Sequence, residues 1–395
     1  MPWPRLSPFT PIRTTRHTRR FSSAREKFKI LFLGREDFSC TVLKELFGAQ
    51  DVWSSLEIAT NPDERVGRRG SKLSVSPLKV LGESLEIPVH LIPHEKSAFR
   101  HWMPPAPFSD GVSSNNLLIT ASFGRIISSR FLDHFAPTRR LNVHPSLLPR
   151  LRGPAPIQHA ILNGESETGV SIISMLKRQE GIDAGDVWGS AKLAIAPNTT
   201  YSDLQDISAL QGGKLLVSIL RDMIAGAAKA TPQVGEVSHA PLITYDDSVV
   251  DFTTMSAESI ARRHRAIGHQ RPITVYALDG CTIQLGSPSV EANPPSFVRD
   301  KPGVSCLYRS KSAILVRCID GSVLSIPMMK PEGSRWGTGK DWWNGVKSMN
   351  FVKDGTYRFI NKLLRGIGVP HLDIIWIHRL HFSTAQRSIK NRLAT

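Results

Sequence analysis

The run Phe28-Lys29-Ile30-Leu31-Phe32-Leu33-Gly34-Arg35-Glu36-Asp37 sets the architecture. An apolar stretch broken only by Lys29 stops at a glycine and a charged cluster, the pattern of a strand buried on both faces. Val42 to Phe47 follows with the spacing of a short amphipathic helix. Leu56 to Thr60 reads as a second strand and Pro77 to Leu85 as a second helix, with Ser76 placed to cap it. Leu117 to Ala121 and Leu141 to His144 supply further strands. Strands separated by helices predict an α/β fold, a doubly wound and mostly parallel sheet. A dinucleotide on such a sheet calls for Gly-x-Gly-x-x-Gly after the first strand. Gly34-Arg35-Glu36-Asp37 stands there instead, which argues against a nicotinamide enzyme.

Downstream the pattern changes. Leu204, Ile207, Leu215, Ile219 and Met223 keep helical spacing from Thr200 onward, and Asp203 can close a capping box with Thr200. Gly212-Gly213 is expected to kink this helix or divide it in two. Ala225 to Ser238 is small, polar and Pro/Gly-bearing, which marks an interdomain linker. After a short helix near Ala257 to Ile267, Asp279-Gly280 and Asp320-Gly321 each stand between β-rich runs, a strong hairpin signal. They predict a small C-terminal β-barrel module, OB-like, of the sort that often binds nucleic acid. Arg262, Arg263, Arg265, Lys330, Arg335 and Lys340 give it a basic cast. The expected division is therefore an N-terminal segment 1–26, an α/β domain 27–224, a linker 225–240, a β domain 241–365 and a tail 366–395.

Candidate chemistry lies in Leu141-Asn142-Val143-His144-Pro145-Ser146-Leu147-Leu148-Pro149. Apolar Leu141 and Val143 alternate with Asn142 and His144, so both polar side chains leave one face of the strand. Pro145 and Pro149 end it there, and open α/β sheets bind ligands outside strand carboxyl ends. An amide that can donate to an oxyanion beside an imidazole that can move a proton suits acyl transfer. Gly181-Ile182-Asp183-Ala184-Gly185-Asp186 adds a carboxylate on a tight glycine turn. Taken singly, each pattern also fits a structural pair or a surface turn.

The chain of 395 residues carries a net charge of +16 and a pI near 10.0, which favours a polyanionic partner. Residues 1–25 contain Arg5, Arg13, Arg16, Arg19, Arg20 and Arg25, with Ser and Thr between them and no acid before Glu26. That composition is expected of a mitochondrial transit peptide, with a disordered basic arm as the other reading. Without those arginines the charge is still about +10. Cys40, Cys281, Cys306 and Cys318 show no metal or redox spacing and are expected to be buried thiols. No apolar run is long enough to insert into a membrane.

Asn142, His144 and Asp183 together resemble the catalytic trio of the folate-dependent formyltransferases. Arg152-Gly153-Pro154-Ala155-Pro156-Ile157-Gln158, Asn163-Gly164-Glu165 and Glu167-Thr168-Gly169-Val170-Ser171-Ile172 extend the likeness, as do Ile30-Leu31-Phe32-Leu33-Gly34, Asn61-Pro62-Asp63 and Ala121-Ser122-Phe123-Gly124 upstream. Over roughly residues 27 to 350 the chain resembles the methionyl-tRNA formyltransferases. The resemblance implies transfer of formyl from 10-formyltetrahydrofolate, without a metal, to methionyl-tRNA in the mitochondrial matrix, by a monomer. It implies that Ser146, Leu147, Leu148 and Pro149 line the folate side. It also implies that Arg65, Arg68, Arg69 and Lys72, in a flexible glycine-bearing loop, meet the tRNA acceptor stem. The rival readings are a formyltransferase for an amino sugar or glycinamide nucleotide, and a catalytically inactive RNA-binding relative.

Overall fold

The computed structural model describes residues 26–360. The arginine-rich segment through residue 25 and the tail from residue 361 onward lie outside the described residues. Seven strands form the first sheet: β1 (Phe28–Gly34), β2 (Trp53–Thr60), β5 (Val89–Leu91), β6 (Asn116–Ala121), β7 (Arg140–His144), β8 (Glu167–Ser174) and β9 (Val187–Ala194). Their order is β5-β2-β1-β6-β7-β8-β9. The first five in that order run parallel, β8 adds antiparallel to β7, and β9 adds antiparallel to β8 at the edge. The expected α/β class and mostly parallel sheet are thus present. A separate short hairpin, β3 (Glu64–Val66) with β4 (Lys72–Ser74), stands off the end of β2.

Alternation along β1 explains why the sheet is covered on both sides. Phe28, Ile30 and Phe32 enter one apolar cluster while Leu31 and Leu33 enter another on the opposite face, all fully or nearly fully buried. Each such side chain contributes roughly 1.5–3 kcal/mol on leaving water. Helix α1 (Asp37–Gly48) and the long α6 (Tyr201–Ala225) cover the first face, while α3 (Lys96–His101) and α4 (Ser129–Leu132) bring Phe99, Phe131 and Leu132 to the second. Helix α5 (Pro156–Leu162) adds Ile157 and Ile161 to the first cluster. Helix α2 (Pro77–Ser84) begins at Ser76, whose hydroxyl accepts from the Lys79 amide.

Two expectations about α6 divide. Thr200 and Asp203 close the capping box at its start, and Gly226 ends it in the left-handed conformation. The expected kink at Gly212-Gly213 is absent, and α6 runs unbroken for 25 residues. These glycines serve close packing: a Cβ on Gly212 would lie 2.8 Å from Val143 Cγ1, and one on Gly213 would lie 2.8 Å from Glu45 Cβ. Ile207, assigned to the apolar stripe, is instead exposed.

The segment after α6 is also more structured than a plain linker. Thr231 exchanges both backbone hydrogen bonds with Val187, at 2.8 and 2.9 Å, and Ser238 to Ala240 pair alongside Arg152. A largely polar segment can be held this way because its backbone groups, not its side chains, make the bonds.

The C-terminal part opens with α7 (Ala257–Ile267) and continues as antiparallel strands. One sheet contains β10 (Ile273–Tyr276), β11 (Thr282–Gly286), β16 (Met328–Pro331) and β17 (Gly337–Thr338). The other contains β12 (Ser289–Val290), β13 (Val304–Tyr308), β14 (Ala313–Arg317), β15 (Val323–Ile326) and β18 (Tyr357–Arg358). Both predicted turns join paired strands, with Gly280 at φ 79° and Gly321 at φ 82°. Side chains from both sheets, Val275 and Leu285 on one and Ile314 and Ile326 on the other, share a buried core with Trp342 of α8 (Gly339–Ser348).

Candidate active site

The site is built at the carboxyl end of β7. Asn142 and His144 share a face because they are two residues apart on the strand. Thr120, on neighbouring β6, donates its hydroxyl to Asn142 Oδ1 at 2.8 Å. With its oxygen so occupied, the Asn142 amide has its NH2 group to offer to a ligand. His144 is buried, and its Nε2 lies 3.1 Å from the Leu151 carbonyl oxygen. A carbonyl only accepts, so Nε2 carries the hydrogen and Nδ1 is the nitrogen free to take a proton.

Nδ1 faces Asp183, with 3.8 Å between it and Oδ2. Asp183 reaches this position on a turn that its flanking residues permit. Gly181 stands at φ 117° and Asp183 itself at φ 53°, a left-handed conformation that Asp tolerates better than most side chains. At Gly185 a Cβ would come within 1.9 Å of the Ser174 carbonyl oxygen, so the turn can close only on glycine. The Gly153 amide donates to Asp183 Oδ2 at 3.0 Å, which fixes the carboxylate as an acceptor beside the ring.

The four residues after Pro145 form a braced loop. Ser146 is buried, donating its hydroxyl to the Arg150 carbonyl at 2.7 Å, and the Leu148 amide donates to Ser171 Oγ on β8 at 3.2 Å. Leu147 packs over Gly169, where a Cβ would meet Leu147 Cδ2 at 2.5 Å. The Leu148–Pro149 peptide is cis.

Arg65 and Lys72 lie on β3 and β4, and Arg68 and Arg69 on the turn between them. The expected loop is folded as a short paired hairpin, with Arg65 opposite Leu73 and Val66 opposite Lys72. Gly67 at φ 82° and Gly70 at φ 68° supply the backbone conformations that let it turn. Arg65, Arg69 and Lys72 are exposed; the side chain of Arg68 lies outside the described residues. The hairpin follows β2, which is parallel to β7 through β1 and β6, so hairpin and site lie at the same, carboxyl end of the parallel strands.

Sequence reading missed Thr120, Arg152 and Gln233. Thr120 is a lone hydroxyl in the otherwise apolar Leu117-Leu118-Ile119-Thr120-Ala121, a signal that was available. Gln233 offered none, because its partners are backbone oxygens remote in sequence. Cys40, Cys306 and Cys318 are buried as expected, whereas Cys281 is only half-buried beside the Asp279-Gly280 turn; burial pushes the Cys40 thiol up to about 11 and Cys318 to about 12, which keeps both protonated. Among the described residues, no group of three His, Cys, Asp or Glu could hold a metal ion.

Comparison with known proteins shows the family. Residues 57–220 match the formyl transferase family and residues 242–347 match the formyl transferase C-terminal domain. Fold and family match thus define a two-domain formyltransferase. The methionyl-tRNA formyltransferase of Lactiplantibacillus plantarum is 32% identical over 318 residues, covering 80% of this chain and 95% of the relative. The mitochondrial methionyl-tRNA formyltransferase of Rattus norvegicus is 29% identical over 360 residues, 87% of each chain. The chain belongs to the methionyl-tRNA formyltransferase family. Its fold is shared with the sugar 3N-formyl transferase WlaRD, whose structure was determined in the presence of dTDP and 5-N-formyl-THF. That match has a TM-score of 0.53 at 16% identity and covers 78% of this chain and all of the other.

Proposed function

We propose that this chain transfers the formyl group of 10-formyltetrahydrofolate to the α-amine of methionyl-tRNA. The observation that carries the chemistry is the convergence of Asn142, His144 and Asp183 at the end of β7. The amine attacks the formyl carbon, a C–N bond forms, and the carbonyl electron pair moves onto oxygen. Asn142 donates a hydrogen bond to that oxygen as its charge grows. The amine gives up a proton, which His144 Nδ1 takes, and Asp183 offsets the positive charge on the ring. The bond from carbon to N10 then breaks, and the proton is returned to N10 as tetrahydrofolate leaves. The braced loop Ser146-Leu147-Leu148-Pro149 lines the folate side, and its apolar side chains suit a flat heterocycle.

The acceptor reading rests on family membership and on the arginine hairpin, which a small acceptor would leave idle. Arg65, Arg68, Arg69 and Lys72 contact acceptor-stem phosphates, for which arginine's planar fork is well suited. Residues 1–26 direct the protein to the mitochondrial matrix as a transit peptide; their composition and the mitochondrial relative support this. The protein acts as a monomer, as the family resemblance implies. Parallel assays with charged methionyl-tRNA, an amino-sugar nucleotide and glycinamide ribonucleotide test the acceptor, with formyl transfer to the charged tRNA expected. A fluorescent protein fused after residue 26 should enter mitochondria, and cytosolic retention would refute the targeting.

A further inference from the structure

We infer that Gln233, on the segment joining the two domains, is a positioning residue for the His144–Asp183 pair. This rests on the function proposed above. Most of residues 231–240 is exposed, yet Gln233 turns inward and is half-buried. Its Nε2 group donates to the Asp183 carbonyl and to the Gly185 carbonyl, both at 2.8 Å. Its Oε1 accepts from Arg152 Nε at 3.0 Å and Nη2 at 2.6 Å. One side chain thereby uses both amide hydrogens and its oxygen, and each bond ends on a segment that builds the site.

The bonds run to opposite sides of the catalytic pair. On one side they clasp the Asp183-Ala184-Gly185 turn, in which Asp183 is held at φ 53°. On the other they hold Arg152, which lies between the Leu151 carbonyl that accepts from His144 and the Gly153 amide that donates to Asp183. The backbone on either side of Gln233 is fixed as well. Thr231 is tied to Val187, and Ser238 accepts from the Leu151 amide through Oγ at 2.9 Å and from the Arg152 amide through its carbonyl at 2.9 Å. The same strap continues directly into the C-terminal domain. Without the Gln233 amide nothing else in this set ties the Asp183 turn to the Arg152 segment except the single bond from Gly153. Across these two segments the 3.8 Å spacing of imidazole and carboxylate is then tied by that bond.

Gln233→Met keeps the length of the side chain and removes all four hydrogen bonds. In the full-length enzyme it should lower kcat roughly ten- to a hundredfold, as small misplacements of catalytic groups do. KM for methionyl-tRNA should stay within about twofold, since no tRNA contact is touched. In an Asp183→Asn background the same substitution should cost almost nothing more, because a residue acting through Asp183 has nothing left to position. Gln233→Glu is the second variant, should Gln233→Met unfold: it keeps an acceptor for Arg152 but loses both donors, so kcat should again fall with KM unchanged. Wild-type kcat in either folded variant, or an equal loss with and without Asp183, would overturn the inference. All rates are read with whichever amine the wild-type enzyme formylates. Transfer to a small amine alone would sink the acceptor reading, while the Gln233 result would still stand or fall by itself.

Discussion

The hydroxyl of Thr120 donates to Asn142 Oδ1 at 2.8 Å, so a residue on β6 decides which end of the β7 amide meets the substrate. If the amide rotated, it would present an oxygen to a developing oxyanion and repel it. Thr120→Val removes the hydroxyl while keeping the shape, and steady-state kinetics should show kcat reduced roughly tenfold with KM for both substrates little changed. Thr120→Ser should restore most of the loss. Full activity in Thr120→Val would show that the amide is oriented by something else.

His144 and the arginine hairpin are predicted to fail in opposite ways. His144→Ala removes the proton carrier and should lower kcat by roughly 10²–10⁴-fold, with tRNA binding retained. Arg65→Ala and Arg69→Ala should mainly raise KM for methionyl-tRNA, and the gap to wild type should narrow as salt is increased, because screening weakens the phosphate contacts that the variants lack. Filter binding beside initial rates separates the two classes. Equal loss of tRNA binding in both would refute the division of labour.

Much of this was legible in the sequence, for definable reasons. Strand periodicity located β1, β2, β6 and β7, because a central parallel strand must be apolar on both faces. Asp-Gly turns located two hairpins, because few other dipeptides accept the required backbone angles. Asn142 and His144 were readable from strand alternation, and Asp183 from its glycine turn. Gly212-Gly213 was misread because helix propensity speaks of the isolated helix, whereas these positions answer to Val143 and Glu45 across the interface. Gln233 and the pairing of its segment were invisible, since backbone carbonyls leave no mark on composition. The pairing around Arg65 and Arg69 leaves little trace in the sequence because its strands are only three residues long.

Glycine packing gives a contrast that stability measurements can read. Alanine at Gly212 would gain about 1 kcal/mol of helix propensity. Its Cβ, however, would stand 2.8 Å from Val143 Cγ1 and 3.1 Å from Val170 Cγ1, and overpacking costs about 1–3 kcal/mol. Gly212→Ala should therefore destabilise, and should lower kcat too, since Val143 lies between Asn142 and His144. Gly345 in α8 has open space around its Cβ direction, so Gly345→Ala should stabilise by about 0.4–1 kcal/mol. Urea titrations of the two variants that shifted in the same direction would contradict this.

Acidification should weaken the fold before carboxylates begin to titrate. Burial holds His269, stacked on Tyr201 at 3.8 Å, and His264, beside Arg265, below the ordinary His value of 6.5. Below that value the unfolded chain binds protons that the folded chain refuses, so stability is complete above it and falls as the pH drops through it. Tm should decline between about pH 7 and pH 5. His269→Phe keeps the stack and should make the decline shallower. An unchanged slope would show that His269 is not responsible.

The most direct test is transfer of labelled formyl from 10-formyltetrahydrofolate to methionyl-tRNA, with wild type and His144→Ala measured side by side against uncharged tRNA. Label on the methionyl α-amine with wild type alone is the predicted result. Wild-type enzyme that binds charged tRNA yet leaves its amine unlabelled would contradict it.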